Sequence, residues 1–185
     1  MKTVGRKLRQ GGQSLIEFTL VGIPMLFILV SVFEVSRGMW MYHTMAYSVK
    51  AGIRYAIVHG VDCTKNGNNC PVNLGPPKGT CDSTNGTIAE VIRCAGVGLD
   101  PKKTTVTFTS AQGTVGPYTL DVTGGTNPCP ATAWPPANGN QAGQLITIEI
   151  RTPFNSAIAM FWPGAKPVTF ASANLAASSS DHVQF

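Results

Sequence analysis

The feature that most constrains the fold is an uncharged apolar stretch near the N-terminus. From Phe18 to Phe33 no side chain carries a charge, and most are large aliphatic or aromatic groups. With its flanks, the stretch runs from Glu17 to Arg37 and provides the roughly 20 helical residues that cross about 30 Å of hydrocarbon. We therefore expect one transmembrane helix, with a soluble domain following it.

Basic residues are concentrated immediately before this stretch. Four of them precede it, and Arg37 closely follows it; the four are Lys2, Arg6, Lys7 and Arg9. The positive-inside bias predicts a cytoplasmic N-terminus and places residues beyond about 37 outside. No A-x-A-like site follows the stretch, which argues against an ordinary cleaved secretory signal. An uncleaved signal anchor remains an alternative.

The net charge of +5 comes from this leader rather than from a basic face. Residues 60–185 contain seven basic and seven acidic side chains. A nucleic-acid-binding protein needs a dense basic surface to displace phosphate counterions. We therefore expect no nucleic-acid partner.

The helix is expected to continue outside the membrane, from Gln13 to His59, about 70 Å at about 1.5 Å per residue. Its outer half is amphipathic and needs a partner surface, either the chain's own soluble domain or neighbouring subunits. Glu34 and Arg37 lie on one helix face and are interpreted as a structural ion pair. The residues at helical spacing are Val35, Met39, Tyr42, Met45, Ala46, Val49, Ile53, Ala56 and Ile57.

The rest of the chain predicts a small α+β domain. Thr87-Ile88-Ala89-Glu90 is a capping box that begins a short helix, which Gly96 ends. We expect an antiparallel sheet packed on the outer half of the long helix, and a frayed tail over 178–185. The predicted strands are 103–109, 118–122, 145–152 and, more weakly, 168–173. The predicted organisation is a leader (1–12), a transmembrane and amphipathic helix (13–59) and a periplasmic domain (60–185).

Irregular segments connect these elements. Residues 60–86 are predicted to form a loop closed by disulfides, and 124–143 a long loop that is either mobile or held through Cys129. Two aromatic sequences, Pro153-Phe154 and Phe161-Trp162-Pro163, are interpreted as core or subunit contacts rather than as a ligand site.

All five cysteines follow the apolar stretch, which indicates an oxidising compartment and disulfides. An odd number leaves at least one thiol that is not bridged within the chain. The candidates are Cys63, Cys70, Cys81, Cys94 and Cys129. No C-x-x-C occurs, and the three histidines, His43, His59 and His182, lack ligand spacing, so we expect no metal and no cofactor. No catalytic motif is present, and we expect no enzymatic activity; an anchored periplasmic enzyme is the least favoured alternative.

Two sequence patterns carry a family resemblance. Gly12-Gln13-Ser14-Leu15-Ile16-Glu17-Phe18, after a basic leader and before the apolar helix, resembles the G-x-x-x-x-E-[YF] motif of tight-adherence (Tad) prepilins. The segment 46–56 (AYSVKAGIRYA) resembles the A-x-x-A-x-x-G-A-R-x-A stretch of TadE-like proteins. The chain therefore resembles TadE-like minor pilins (pseudopilins) of the Tad, or type IVc, pilus.

This resemblance implies that a prepilin peptidase cleaves between Gly12 and Gln13. It implies an assembly role for Glu17 and Phe18, in which the Glu17 carboxylate contacts the N-terminal amine of a neighbouring subunit. The implied partners are the peptidase, other pilin subunits, the pilus assembly platform and the bacterial inner membrane. The expected function is assembly of a Tad pilus or a related secretion apparatus. The alternative is an uncleaved, single-pass binding or adhesion module.

Overall fold

The computed structural model describes residues 10–59, 72–77, 79, 81, 86–123, 126–156 and 172–184. One long helix carries a short helix and a four-stranded antiparallel sheet of order β2-β1-β3-β4. This confirms the predicted α+β class. The elements are α1 (Gln10–Ile57), α2 (Ile88–Ala95), β1 (Thr105–Ser110), β2 (Gly113–Thr119), β3 (Leu145–Asn155) and β4 (Ser172–His182).

Helix α1 has 48 residues and continues through Pro24. It begins three residues before the predicted start at Gln13 and ends two before His59. Proline lacks the N–H that an interior helical position donates, and its ring usually kinks or breaks a helix. Membrane helices tolerate it because neighbouring groups satisfy the freed carbonyl.

The two halves of α1 have different surroundings. Met45, Val49, Ile53 and Ala56 are at most 2% exposed, because the chain's own soluble domain covers them. The chain's own domain covers the predicted stripe only in part, because three members at its N-terminal end are exposed; for these, neighbouring subunits stay the predicted partner surface. The three members are Val35, Met39 and Tyr42, which are 64%, 57% and 47% exposed.

The core lies between α1, α2 and the inner face of the sheet. Ile146, Ile148 and Ile150 of β3 are fully buried, as the alternation of the sequence predicts. On β1, Phe108 packs against Trp134 with a ring-centroid distance of 5.1 Å. Helix α2 begins as predicted, since the Thr87 side chain accepts a hydrogen bond from the Glu90 N–H at 3.2 Å.

The second strand differs from its prediction. β2 is Gly113–Thr119 rather than 118–122, and Val122 lies in a turn. The Gly116-Pro117 pair indicated the start of a strand, but it lies inside one. A proline is tolerated inside β2 because β2 is an edge strand. The solvent side of an edge strand has no neighbouring strand, so a proline nitrogen on that side removes no hydrogen bond from the sheet.

The predicted frayed tail is wrong. β4 continues to His182 and pairs with β3 from Leu145↔His182 to Asn155↔Ser172. Beyond it, Val183 is 2% exposed, and the Gln184 N–H donates to the Ile57 carbonyl at 3.1 Å. Of the weaker strand predicted at 168–173, only the last two residues are described, and both belong to β4.

The long loop at 124–143 is held in place, although not by a disulfide. Its described part begins at residue 126, and Trp134 is 2% exposed. The Trp134 N–H donates to the Val72 carbonyl at 2.9 Å, and the Leu74 N–H donates to the Thr132 carbonyl at 2.8 Å. Main-chain bonds to the segment 72–75 and the buried indole therefore hold it, whereas Cys129 is a free thiol.

Candidate assembly surface on the N-terminal helix

The predicted cleavage site lies in the first turn of α1. Gly12 and Gln13 are helical, and a Cβ added at Gly12 would meet no atom within 4 Å. The first four N–H groups of a helix have no intrahelical partner, and glycine weakens a helix by roughly 1 kcal/mol relative to alanine. This turn can therefore open at low cost into the extended backbone that a peptidase needs.

Glu17 and Phe18 lie one turn further along α1. The Gln13 side-chain amide donates to the Glu17 carboxylate at 3.2 Å, and this hydrogen bond is exposed. The Phe18 side chain is 76% exposed. Both assembly candidates therefore face outward, and a competing partner could replace the Gln13 contact with little loss.

The surface around these residues is apolar over the first half of α1. Except for the half-buried Val30, its large hydrophobic side chains are more than half exposed, from Leu15 at 66% to Phe33 at 67%. Among the described residues, α1 is a helix whose length and apolar composition would allow it to cross a membrane. An apolar surface of this length is not stable in water, so a bilayer or neighbouring helices must cover it.

The apolar surface ends at an ion pair that contacts the soluble domain. Arg37 lies 3.9 Å from the Glu34 carboxylate and donates a hydrogen bond to the Asn155 carbonyl at the end of β3. The guanidinium lies 4.8 Å from the centroid of the Phe154 ring. The predicted pair is therefore present, and Phe154 contacts α1 within the chain. Residues 161–163 lie outside the described part.

The cysteines form one bridge among the described residues, Cys81–Cys94. Burial raises the pKa of the free Cys129 thiol to about 12. The expectation of a disulfide is confirmed. Cys63 and Cys70 lie outside the described residues.

Glu90 has a role that the sequence analysis missed. Its carboxylate accepts hydrogen bonds from the N–H groups of Gly79 at 3.3 Å and Cys81 at 3.1 Å, and it pairs with Arg93 at 3.0 Å. Glu90 is 3% exposed, so the capping-box acid fastens the loop that carries Cys81. A buried position inside an amphipathic helix was the available signal, because a buried acid needs partners.

The same carboxylate and the sulfur atoms of Cys81 and Cys94 lie within 4.8 Å of one another. The two sulfurs are bonded to each other, so neither is a thiolate that could bind a metal ion. None of the three histidines belongs to this group.

Comparison with known families identifies the helix that carries the candidate site. Residues 12–54 match the family model of TadE-like proteins. This TadE-like segment confirms the resemblance, and it contains Gly12, Gln13, Glu17 and Phe18. The match covers α1 almost to its end and leaves the sheet domain outside. No curated protein and no solved structure matches the chain.

The match makes α1 similar to TadE-like proteins, a family of structural, pilin-like proteins associated with Tad pili. Together with the apolar half of α1, it indicates anchoring in a membrane. The sheet domain packs on the C-terminal half of α1.

Proposed function

We propose that this chain is a minor pilin or pseudopilin that takes part in assembly of a Tad pilus or a related secretion apparatus. The observation that carries the proposal is the division of α1 within its TadE-like segment. The half before Arg37 exposes its apolar side chains, whereas the half from Met45 onward packs on the sheet. Such a subunit can rest in a bilayer and then exchange lipid for the helices of other subunits.

Cleavage between Gly12 and Gln13 is the step that releases the subunit from the bilayer. The leader carries four basic residues, and drawing them through hydrocarbon would cost roughly 2.5–3.5 kcal/mol each. A prepilin peptidase at the cytoplasmic face removes this barrier. The weak first turn of α1 supports the proposal, because the scissile backbone must become extended.

Glu17 sets the register of assembly in this proposal. A carboxylate inside a bundle of apolar helices is costly unless it is paired. After cleavage the Gln13 amine of a neighbouring subunit supplies the pairing charge. The exposed position of the Glu17 carboxylate supports this role.

The first test is the intact mass of the protein from cells with and without the peptidase. With the peptidase we expect a chain that begins at Gln13, with or without the loss of ammonia that N-terminal glutamine readily undergoes. Gly12→Val should block cleavage, and Gly11→Val is the matched control that should still be cut. A chain that begins at Met1 in the presence of active peptidase would leave the uncleaved adhesion module as the better account.

The second test separates assembly from processing. In a strain without the wild-type copy, Glu17→Gln should be inserted and cleaved normally but should impair pilus formation, because the change removes the pairing charge and keeps the size. Glu149→Gln, a half-buried change on the sheet beside Arg151, is the control and should assemble. Normal pili in the Glu17→Gln strain would contradict the register role.

A further inference from the structure

The turn between α2 and β1 lies beside the part of α1 that follows Arg37. It contains residues 97–103 (VGLDPKK). A Cβ added at Gly98 would lie 3.9 Å from the indole nitrogen of Trp40, so the turn lies beside Trp40. Trp40 follows Arg37 by three residues, roughly 4.5 Å along the helix axis. The headgroup layer on each side of a bilayer is about 5–7 Å deep. Trp40 and this turn therefore lie within that layer if the hydrocarbon ends near Arg37.

The side chains at this level suit a membrane surface. Val97 at the tip of the turn is 68% exposed, and Trp40 is 67% exposed. Tryptophan is enriched at membrane interfaces, where its ring meets apolar chains and its N–H meets polar groups. Two adjacent lysines, Lys102 and Lys103, are also exposed.

Each cation around the turn has an acidic neighbour, but exposed ion pairs are weak, so a phosphate can compete with the acids for the lysines. Lys103 lies 3.7 Å from the Asp100 carboxylate in an exposed pair, and Arg37 pairs with Glu34. Hydrogen bonds from Thr123 and, more weakly, the charge of the exposed Lys102 lower the pKa of Asp121, so Lys102 also has an acidic neighbour. An open groove of about 610 Å³ runs between α1, the turn and the end of β3, and Arg37, Trp40 and Lys103 contribute to its lining. This volume is in the range of sites that hold small ligands.

We propose that the 97–103 turn is a second membrane contact, in which Val97 enters the interface and the lysines bind the phosphates of anionic phospholipid headgroups. The inference rests on the proposed membrane anchoring through α1. The contact adds a second point of attachment beside the helix. It therefore limits how far the sheet domain can tilt, and holds the domain in one orientation toward other subunits before assembly.

The test uses the full chain in vesicles that contain phosphatidylglycerol, with a photoreactive residue at the turn. Val97→benzoylphenylalanine is expected to give a lipid adduct, detected by mass. The matched control is Leu145→benzoylphenylalanine, because Leu145 is also exposed, at 52%, and lies at the opposite end of β3, ten residues or roughly 33 Å from Asn155. It is expected to give no lipid adduct.

A second pair of variants tests the charge. Each lysine near an anionic surface contributes roughly a fivefold factor in binding. The double change Lys102→Glu and Lys103→Glu should therefore lower the adduct yield at position 97 roughly fivefold or more. Lys50→Glu, on the outer half of α1, should leave the yield unchanged.

Carbonate extraction distinguishes a failure of anchoring by α1 from a failure of the membrane contact at the 97–103 turn, because an anchored chain resists extraction. If the chain stays in the vesicles but position 97 gives no more lipid adduct than position 145, the membrane contact is wrong while anchoring stands. A crosslink from position 97 to a second protein chain instead of lipid also overturns the contact. If carbonate removes the chain, anchoring by α1 fails, and the inference fails with it.

Discussion

Gly52 lies where α1 packs tightly against Ile92 of α2, and Gly52→Ala tests this packing. A Cβ added at Gly52 would lie 2.5 Å from Ile92 Cγ1, 2.9 Å from Ile92 Cδ1 and 3.5 Å from Ile148 Cδ1. Ile92 is fully buried in the core between the helices and the sheet, so it cannot swing into solvent. The new methyl group must therefore displace α2 or force Ile92 out of its rotamer.

Two opposing effects decide the magnitude. Alanine is favoured over glycine inside a helix by roughly 1 kcal/mol. Overpacking a core by one carbon typically costs about 1–3 kcal/mol. Because the contact at 2.5 Å is with a carbon near the backbone of Ile92, we expect the upper part of that range. The net loss is then about 1–2 kcal/mol, which would lower Tm by roughly 2–8 °C.

The assay is thermal unfolding of the full chain in detergent, followed by the fluorescence of the tryptophans, which include the buried Trp134. Gly38→Ala is the matched control, since its Cβ would lie 3.7 Å from the nearest atom, an ordinary contact. That variant should be neutral or stabilised. A double-mutant cycle with Ile92→Ala should abolish the cost at position 52, because the clashing carbons are gone. A Gly52→Ala protein as stable as the parent would refute the argument.

Three further predictions concern the sheet domain. Burial raises the Cys129 pKa from 9.0 to about 12, so the unfolded thiol ionises first and its contribution to stability should be lost as pH rises from about 9 to 12. Maleimide at pH 8 should label Cys129 only after denaturation, and rapid labelling of the folded protein would contradict its burial. A chain that ends at His182 loses the buried Val183 side chain and should be less stable by about 2 kcal/mol in urea, whereas an unchanged midpoint would mean that the tail is not packed. Glu90→Gln should cost about 1–3 kcal/mol, because it weakens an ion pair and two charge-assisted hydrogen bonds. Glu149→Gln, at a half-buried position that pairs with the exposed Arg151, should cost less than about 1 kcal/mol. Equal stability of these two variants would contradict the role of Glu90 in fastening the loop that carries Cys81.

Features that depend on neighbouring residues in the chain could be predicted from the sequence. The apolar stretch and its helical periodicity predict α1, because a long uncharged helix satisfies its own backbone hydrogen bonds in a bilayer. The spacing from Gly12 to Glu17 carried the family resemblance, and the TadE-like match confirms it. The alternation in β3 and the capping box of α2 also depend on local patterns, and both elements formed where they were predicted.

Features that depend on distant parts of the chain were decided by the tertiary structure. The serine- and alanine-rich tail has weak strand propensity, yet it forms β4 because β3 offers an unpaired edge along its full length. β2 tolerates Pro117 because it lies at the other edge of the sheet. Glu90 fastens the loop that carries Cys81 because the fold brings the backbone N–H groups of residues 79 and 81 to its carboxylate. Gly98 and Trp40 lie close together although they are 58 positions apart in the chain, and no local pattern encodes this proximity.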